Sequence, residues 1–434
     1  MQVNRAYKLE LLPSNKQRTN LFKFAGTSRW AWNWGLADRN FRYRNNTGDD
    51  RYTTAINQNK EIVKLKHSSE LWLKEISKTV PQDALRDLQQ AFTNFFKGTH
   101  GFPKFKKRGV HDSFRLTSTV RIHENGFNKK KCRRFRASNN HSCSKSCNQK
   151  FTAPSIQLPR LGKIRIKEVP DFKNGTTKIS SATVSRQADR WFVSLTVTED
   201  WDDPTNPEGD CVGVDAGLTH SFISSDGEKY DNPRFLKHKL KKLRKLNKEL
   251  HRRKKGSKNQ ERSRKKVAKL YWKISNLRSD YLHQITTKLA KSHKIVVVED
   301  LNVKGMIRNR KLSLSIADVG WGEFRRQLKY KCEWYGSTLV EAPRFFPSSK
   351  LCSNCECIKK NQTLAERVYN CDNCGISIDR DENASLNLKK YGEMYVLNDP
   401  TVAASWAETL NECGDHVRPS DGLDPNDVGN DDET

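Results

Sequence analysis

Two Cys-x-x-Cys pairs, Cys352/Cys355 and Cys371/Cys374, stand fifteen residues apart and are the sharpest chemical signal in the chain. Four thiolates at this spacing suit a closed tetrahedral Zn²⁺ site with no open position for water, so the zinc would be structural. A redox dithiol is the other use of such a pair, but two matched pairs exceed what that role needs. Cys357 is a spare thiol two residues past Cys355 that could exchange with it, whereas Cys211 and Cys332 read as core residues. The catalytic chemistry falls instead to carboxylates. Asp215 closes the apolar run GDCVGVD, Glu299 closes KIVVVED, and Asp381 lies in the acidic turn Asp379-Arg380-Asp381 just past the thiols. Three carboxylates suit Mg²⁺ or Mn²⁺, hard ions that prefer oxygen ligands and keep some of their waters. Two such ions about 4 Å apart can activate a water and stabilise the leaving 3′ oxygen of a phosphodiester. Each acid alone also has a bland reading. An Asp before Ala-Gly is a common turn residue, Asp300 competes with Glu299, and Asp379 competes with Asp381 at a loop-to-helix junction that alternation cannot settle. A further group, Cys132, His141, Cys143 and Cys147, has the types of a Cys₃His zinc set. Its spacing fits no defined motif, so a basic loop is the preferred reading.

The elements that would position these groups are legible in the patterning. Residues 3–12 alternate as a strand ended by Pro13, and Ser14 is a candidate N-cap for a helix whose face carries Leu21, Phe24, Ala25 and Ser28. After Pro81 a second helix repeats Ala84, Leu85, Leu88, Ala91, Phe92, Phe95 and Phe96 and offers Gln82, Arg86, Gln89 and Asn94 on its polar side. Strands are expected over 162–167 and 178–197. From Asp210 the order is three strands, a helical hairpin broken at Gly256, a strand ending at Glu299, a helix around Ile316–Trp334, a strand over Thr338–Glu341, the thiol excursion and a last helix. That succession is the RNase H-like arrangement, a mixed sheet with helices packed on it. Its first and fourth strands lie side by side, which would bring Asp215 to Glu299.

The charge points to the partner. The chain has 434 residues and a formal charge of +30, while residues 411–434 hold eight acids against one arginine. Charge of this size on a chain able to build several domains points to a polyanion, nucleic acid first. Eighteen Lys and Arg lie between Lys237 and Lys273, including Lys241, Lys242, Arg252 and Arg253. In GFPKFKKR, the cations Lys104, Lys106, Lys107 and Arg108 interleave with Phe102 and Phe105, so that rings could stack on bases while cations meet phosphates. Affinity should then fall steeply with salt through counterion release. No apolar run approaches the ~18 residues that span a bilayer. The N-terminus lacks the apolar core of a signal peptide, and the cysteine usage suits a reducing compartment, so the expected location is cytoplasmic, at the nucleoid when engaged.

These motifs resemble the TnpB family, the RNA-guided nucleases of insertion sequences related to compact type V CRISPR effectors. The resemblance rests on GVDAGL with Asp215, VVVEDLNVKGM with Glu299, PSSKLCSNC through YNCDNCG, DRDENASLNL with Asp381 and NECGD around Cys413. YKLELLPSNKQ, WNWGLA, VPQDALRDLQQAFTNFF and GFPKFKKR extend it over nearly the whole chain. It implies an α+β multidomain protein: a small wedge β-barrel (1–13 and 101–205) with an inserted helical recognition domain (14–100). A RuvC nuclease domain (206–345 and 376–410) with an inserted zinc ribbon (346–375) follows; the acidic, aromatic-poor composition of 411–434 adds the expectation of a disordered tail. It implies a guide RNA that pairs with one strand of double-stranded target DNA, while the protein reads a short flanking motif, as other guided nucleases do. It assigns Asp381 over Asp379, and it places Gln82, Arg86 and Gln89 near the flanking motif. One RuvC site would cut both strands in turn, with one protein per guide and no membrane partner. A guided DNA-binding repressor and a CRISPR-associated effector are the alternative readings. The 132–147 insertion and Glu356, where the family has glycine after the second cysteine, depart from the pattern.

Overall fold

The structure, a computed structural model, describes residues 1–109, 112–117, 119–123, 126–127, 151–170, 172, 178–204, 207–359, 361–363 and 366–397. The Cys132–Cys147 group, NECGD and the 411–434 tail lie outside them. The chain divides into two units, Met1–Asp202 and Asp203–Thr434.

In the first unit the strand β1 (Gln2–Leu12) leads into three helices, α1 (Asn15–Asn45), α2 (Ala55–His67) and α3 (Thr79–Phe96). The strands β2 (Ser113–Leu116), β3 (Arg121–His123), β4 (Gly126–Phe127), β5 (Phe151–Thr152), β6 (Ser155–Leu158), β7 (Gly162–Ile166), β8 (Lys178–Gln187) and β9 (Arg190–Asp200) follow. Seven of these strands make one sheet in the order β2-β8-β9-β1-β7-β6-β3, every pair antiparallel. β1 sits in mid-sheet, so the helices depart from and return to the same sheet. Ser14 caps α1 through a reciprocal capping box with Gln17, and Leu21, Phe24 and Ala25 close over the sheet's apolar face. The helix α2 was not legible in the patterning; it buries only Gln58 and Ile62. Pro81 lies in the first turn of α3, where its missing N–H leaves no intrahelical bond unmade.

The second unit carries β10 (Gly209–Asp215), β11 (His220–Ser224), β12 (Lys229–Asp231), α4 (Phe235–Arg252), α5 (Lys258–Ser292) and β13 (His293–Glu299). After these come α6 (Val303–Met306), α7 (Ser313–Val319), α8 (Trp321–Tyr335), β14 (Thr338–Ala342), β15 (Val368–Asn370), β16 (Ser377–Asp379) and α9 (Arg380–Leu397). Its five-stranded sheet runs β12-β11-β10-β13-β14; β10 and β13 pair parallel, as do β13 and β14. The first and fourth strands are therefore neighbours. The expected hairpin forms around Gly256, which has φ +81°, and Leu243 packs with Val267, Leu270 and Ile274 along its seam. One expectation fails. The single helix around Ile316–Trp334 is two helices, because Gly320 at φ +82° closes α7 with a left-handed cap before α8 starts.

Strand alternation gives this sheet two different faces. Val212, Val214, Val296 and Val298 pack on one side with Leu282, Ile285, Phe324 and Leu328 of α5 and α8. Cys211 and Val297 pack on the other with Leu388 and Tyr391 of α9. Among the described residues no helix is long and apolar enough to cross a membrane.

Candidate metal centres

Asp215 and Glu299 each follow the last parallel pair of their strands, Val214 with Val298. Period-two alternation puts both on the same face as Gly213 and Val297, the face covered by α9. That helix lies unusually close. A Cβ on Gly213 would stand 2.0 Å from the Ser385 carbonyl oxygen, and one on Gly392 would stand 2.3 Å from Val297 Cγ2. Bare glycines on both sides of the contact let α9 drop onto β10 and β13, and its first turn carries Asp381. A Cβ on Gly217 would lie 3.9 Å from Asp381 Oδ2, which places that carboxylate over the turn that follows Asp215.

The electrostatics register the convergence. Burial, joined by the charges of Glu299 and Asp381, pushes the Asp215 carboxyl well above the usual carboxylate range. Burial also raises Glu299, opposed by the hydrogen bond that the Ser348 hydroxyl donates to its Oε1. Asp381 Oδ1 accepts from Arg380 at 3.1 Å, and its Oδ2 lies 3.8 Å from Arg367.

The rival acids have other partners. Asp379 Oδ1 accepts the backbone N–H groups of Asp381 and Glu382 at 3.0 and 3.2 Å, so it caps α9. Asp300 points to the opposite face, where it pairs with Arg325 and with Arg344 at 2.7 Å, and those guanidinium hydrogen bonds hold its carboxyl below the usual range.

The four thiols meet independently. Among the described residues, Cys352, Cys355, Cys371 and Cys374 are the group of metal-ligating side chains whose ligand atoms all lie within 4.8 Å of one another. Sγ–Sγ separations are 3.6 Å for Cys352–Cys374 and 3.5 Å for Cys355–Cys371. Tetrahedral Zn–S bonds of about 2.3 Å require roughly 3.8 Å, so the donor set fits zinc. Each pair sits in a turn of one design. Cys352 N–H donates to Cys357 O and Glu356 N–H to Cys352 O; Cys371 N–H donates to Ile376 O and Gly375 N–H to Cys371 O. Glu356 has φ +60° and Gly375 φ +71°, so Glu356 holds the left-handed backbone in which the resemblance expects glycine. Hydrogen bonds from the Asn373 side chain and the Cys357 backbone pull the Cys355 thiol down to about 5, while burial pushes Cys352 up to about 12. Cys357 is exposed; Cys211 and Cys332 are buried.

The expected nucleic-acid contacts are more scattered. Lys104, Lys107, Arg108, Lys241, Lys242, Arg252 and Arg253 are exposed. The Lys106 ammonium instead sits 3.8 Å from the Trp32 ring centroid. Arg86 pairs with Asp83, Gln89 accepts from Arg39 at 2.7 Å, and Gln82 is half-buried. Sequence reasoning missed Ser348, Arg367 and Arg380, which touch the acids. For Arg380 the signal was its place between two aspartates; for Ser348 it was only its place in the PSSKLCSNC stretch.

Three family profiles match: a probable transposase of the OrfB type over residues 192–310, a Cas12f1-like TNB domain over 321–388 and a helix-turn-helix domain over 1–48. The last name does not describe the local structure, which is a strand and one long helix. A "Putative RNA-guided DNA endonuclease" of Streptomyces pristinaespiralis is 34% identical over 420 residues, covering 96% of this chain and 93% of that protein. InsQ of Escherichia coli K12, named in the same terms, is 29% identical over 408 residues, 90% of this chain and 93% of its own. More distant relatives are named TnpB-like proteins. A chain in a Cas12f1–sgRNA–target DNA complex aligns over 89% of this chain and 99% of that one at 13% identity, with a TM-score of 0.33 that decides nothing about the fold. This chain belongs to the TnpB family.

Proposed function

We propose that the chain is an RNA-guided DNA endonuclease that hydrolyses target phosphodiesters beside a short flanking motif. Its single RuvC-type site would consist of Asp215, Glu299 and Asp381. The observation that carries this reading is that Asp215 and Glu299 end two neighbouring parallel strands and α9 brings the Asp381 carboxylate over the turn after Asp215, with burial at Asp215 and Glu299 that would be costly for charges left without a cation. Mg²⁺ or Mn²⁺ held there would supply the activation of water and the stabilisation of the leaving 3′ oxygen. The chain's own residues do the rest. Asp215 and Glu299 offer oxygens from a rigid strand pair, Ser348 fixes one Glu299 oxygen, and Arg380 orients Asp381. The thiol element would be a zinc ribbon spanning 346–375 whose ion does no chemistry of its own. A wedge barrel (1–13 and 101–205) with its helical insertion (14–100) would hold guide RNA and target DNA along with the exposed lysines and arginines. The RuvC domain would take 206–345 and 376–410, with one protein acting per guide.

The test is cleavage of a plasmid that carries a guide-matched target and its flanking motif. Glu299→Ala and Asp381→Ala should each lose cleavage by at least a hundredfold with target binding retained. Cutting at the parent rate would refute the site; binding without cutting by the parent itself would favour a guided repressor.

A further inference from the structure

The strap that leads into the first thiol turn is tied to the carboxylate site. Ser348 is 4% exposed. Its hydroxyl donates to Glu299 Oε1, and its carbonyl accepts from Asn387 Nδ2 at 2.8 Å. Three residues on, the Leu351 carbonyl accepts from both Asn383 Nδ2 and Asn387 Nδ2, each at 2.7 Å. Ser353 N–H donates to Asn383 Oδ1 at 2.9 Å. Cys352, wholly buried, sits between these last two anchors. Two buried asparagines of α9 therefore clamp residues 348–353 at both ends, so that one end grips Glu299 and the other presents a thiol. α9 is also the helix whose first turn carries Asp381.

A clamped strap has little freedom to move at one end only. Asn383 and Asn387 lack any exposed surface, and each hydrogen bond they make to the strap replaces one that water cannot reach to restore. Gathering the four thiols fixes Cys352, and through Leu351 and Ser353 it fixes the strap. The fixed strap holds the Ser348 hydroxyl on Glu299 Oε1 and leaves the second Glu299 oxygen free of that hydrogen bond. Release of the thiols frees the strap's outer end, and Glu299 regains rotamers that compete with ion binding.

We propose that Ser348 is a positioning residue through which occupancy of the four-thiol site sets the divalent-cation affinity of the Asp215–Glu299–Asp381 site. The proposal rests on the reading of those three acids as a cation site. Hydrogen-bond partners one shell out from metal ligands are worth about 10–100-fold in affinity. Coupling between two binding equilibria is also reciprocal, so cation at the acids must tighten zinc at the thiols by the same factor.

The experiment uses the full chain loaded with zinc and measures Mn²⁺ binding by the electron paramagnetic resonance of the free ion. Zinc affinity is measured by chelator competition with and without saturating Mn²⁺. Asp215→Ala defines binding that does not involve the carboxylate site. In the parent, Mn²⁺ binding that depends on Asp215 should weaken about tenfold when Cys374→Ser removes a zinc ligand, and Mn²⁺ should tighten zinc by a matching factor. Ser348→Ala should bind Mn²⁺ about tenfold more weakly, keep the parent's zinc affinity in the absence of Mn²⁺, and lose the coupling. A merely structural serine would lower both affinities and leave their ratio unmoved. Parent-like Mn²⁺ affinity or an intact coupling factor in Ser348→Ala overturns the proposal. Should Ser348→Ala fail to fold, Ser348→Thr and Ser348→Val decide, since they share a shape and only Thr keeps the hydroxyl. Coupling present in Thr and absent in Val supports the proposal; equal behaviour refutes it. Parent binding unaffected by Asp215→Ala refutes the cation-site reading itself, and the coupling with it.

Discussion

Gly213 of β10 lies so close under Ser385 of α9 that a side chain there would put a carbon 2.0 Å from the Ser385 carbonyl oxygen. This contact, more than any pairing of charges, sets the height of the helix that carries Asp381 above the strand that carries Asp215.

Gly213→Ala should therefore be severe, because the colliding atoms belong to backbone and cannot swing away. Overpacking of this kind costs about 1–3 kcal/mol. The variant should melt several degrees lower and lose cation binding that depends on Asp215, as read by calorimetry and Mn²⁺ titration. An unchanged melt would mean that α9 does not seat on β10 as described.

Burial of the Asp215 carboxyl costs the folded chain stability at neutral pH. The group titrates well above its ordinary value in the folded chain, so the folded state holds a proton that the unfolded state has released. That stabilisation is complete below the ordinary value of 3.8 and is lost as pH rises through the folded value. Asp215→Asn should raise the cation-free melting temperature by roughly 2–4 °C at neutral pH, for a gain of about 1 kcal/mol. The gain should shrink as pH is lowered toward 4, and millimolar Mn²⁺ should stabilise the parent but not the variant. Scanning calorimetry at several pH values checks this.

Lys331 is a buried cation that meets no acid among the described residues. It is 4% exposed, its Nζ donates to His283 O, Thr286 Oγ1 and Thr287 Oγ1 at 2.7–2.8 Å, and burial lowers it to about 8. A lowered lysine costs stability in full below pH 8, and the cost fades as pH rises toward the unfolded value of 10.5. Lys331→Met should stabilise the chain at pH 7 by on the order of 2 kcal/mol, allowing for the lost hydrogen bonds. The advantage should narrow between pH 8 and 10.5 in denaturant titrations.

Glu356 and Gly375 occupy matching left-handed positions in the two thiol turns. A residue with a Cβ costs about 1–2 kcal/mol there, and Gly gives back part of that in chain entropy. Glu356→Gly also gives up a surface pair with Lys390 at 3.2 Å, so its zinc affinity should stay within about threefold of the parent. Gly375→Val should lower zinc affinity about tenfold or more. Competition with a chromogenic chelator measures both.

Much of this was written locally. The Ser14 cap, the hairpin break at Gly256, the paired thiol turns and the order of strands and helices follow from short-range rules of periodicity, capping and ligand spacing. The two-helix split at Gly320 was missed because an isolated glycine is tolerated in a helical pattern, and whether it stops the helix depends on its φ. α2 was missed because it buries only two side chains, and one of them, Gln58, is polar.

Residue types and their spacing set the inventory: four thiols at zinc spacing, carboxylates of the kind that bind hard cations, and a strongly positive charge. Which acids go together depends on the packing of distant segments. Glu299 and Asp300 are adjacent in the chain, yet alternation sends one under α9 to Asp215 and the other across the sheet to Arg325 and Arg344. Which face α9 would cover, and how closely, depended on Gly213 meeting the Ser385 backbone more than 170 residues away and on Gly392 meeting the Val297 side chain. Local pattern fixes what a residue can do, and packing between distant segments decides what it meets.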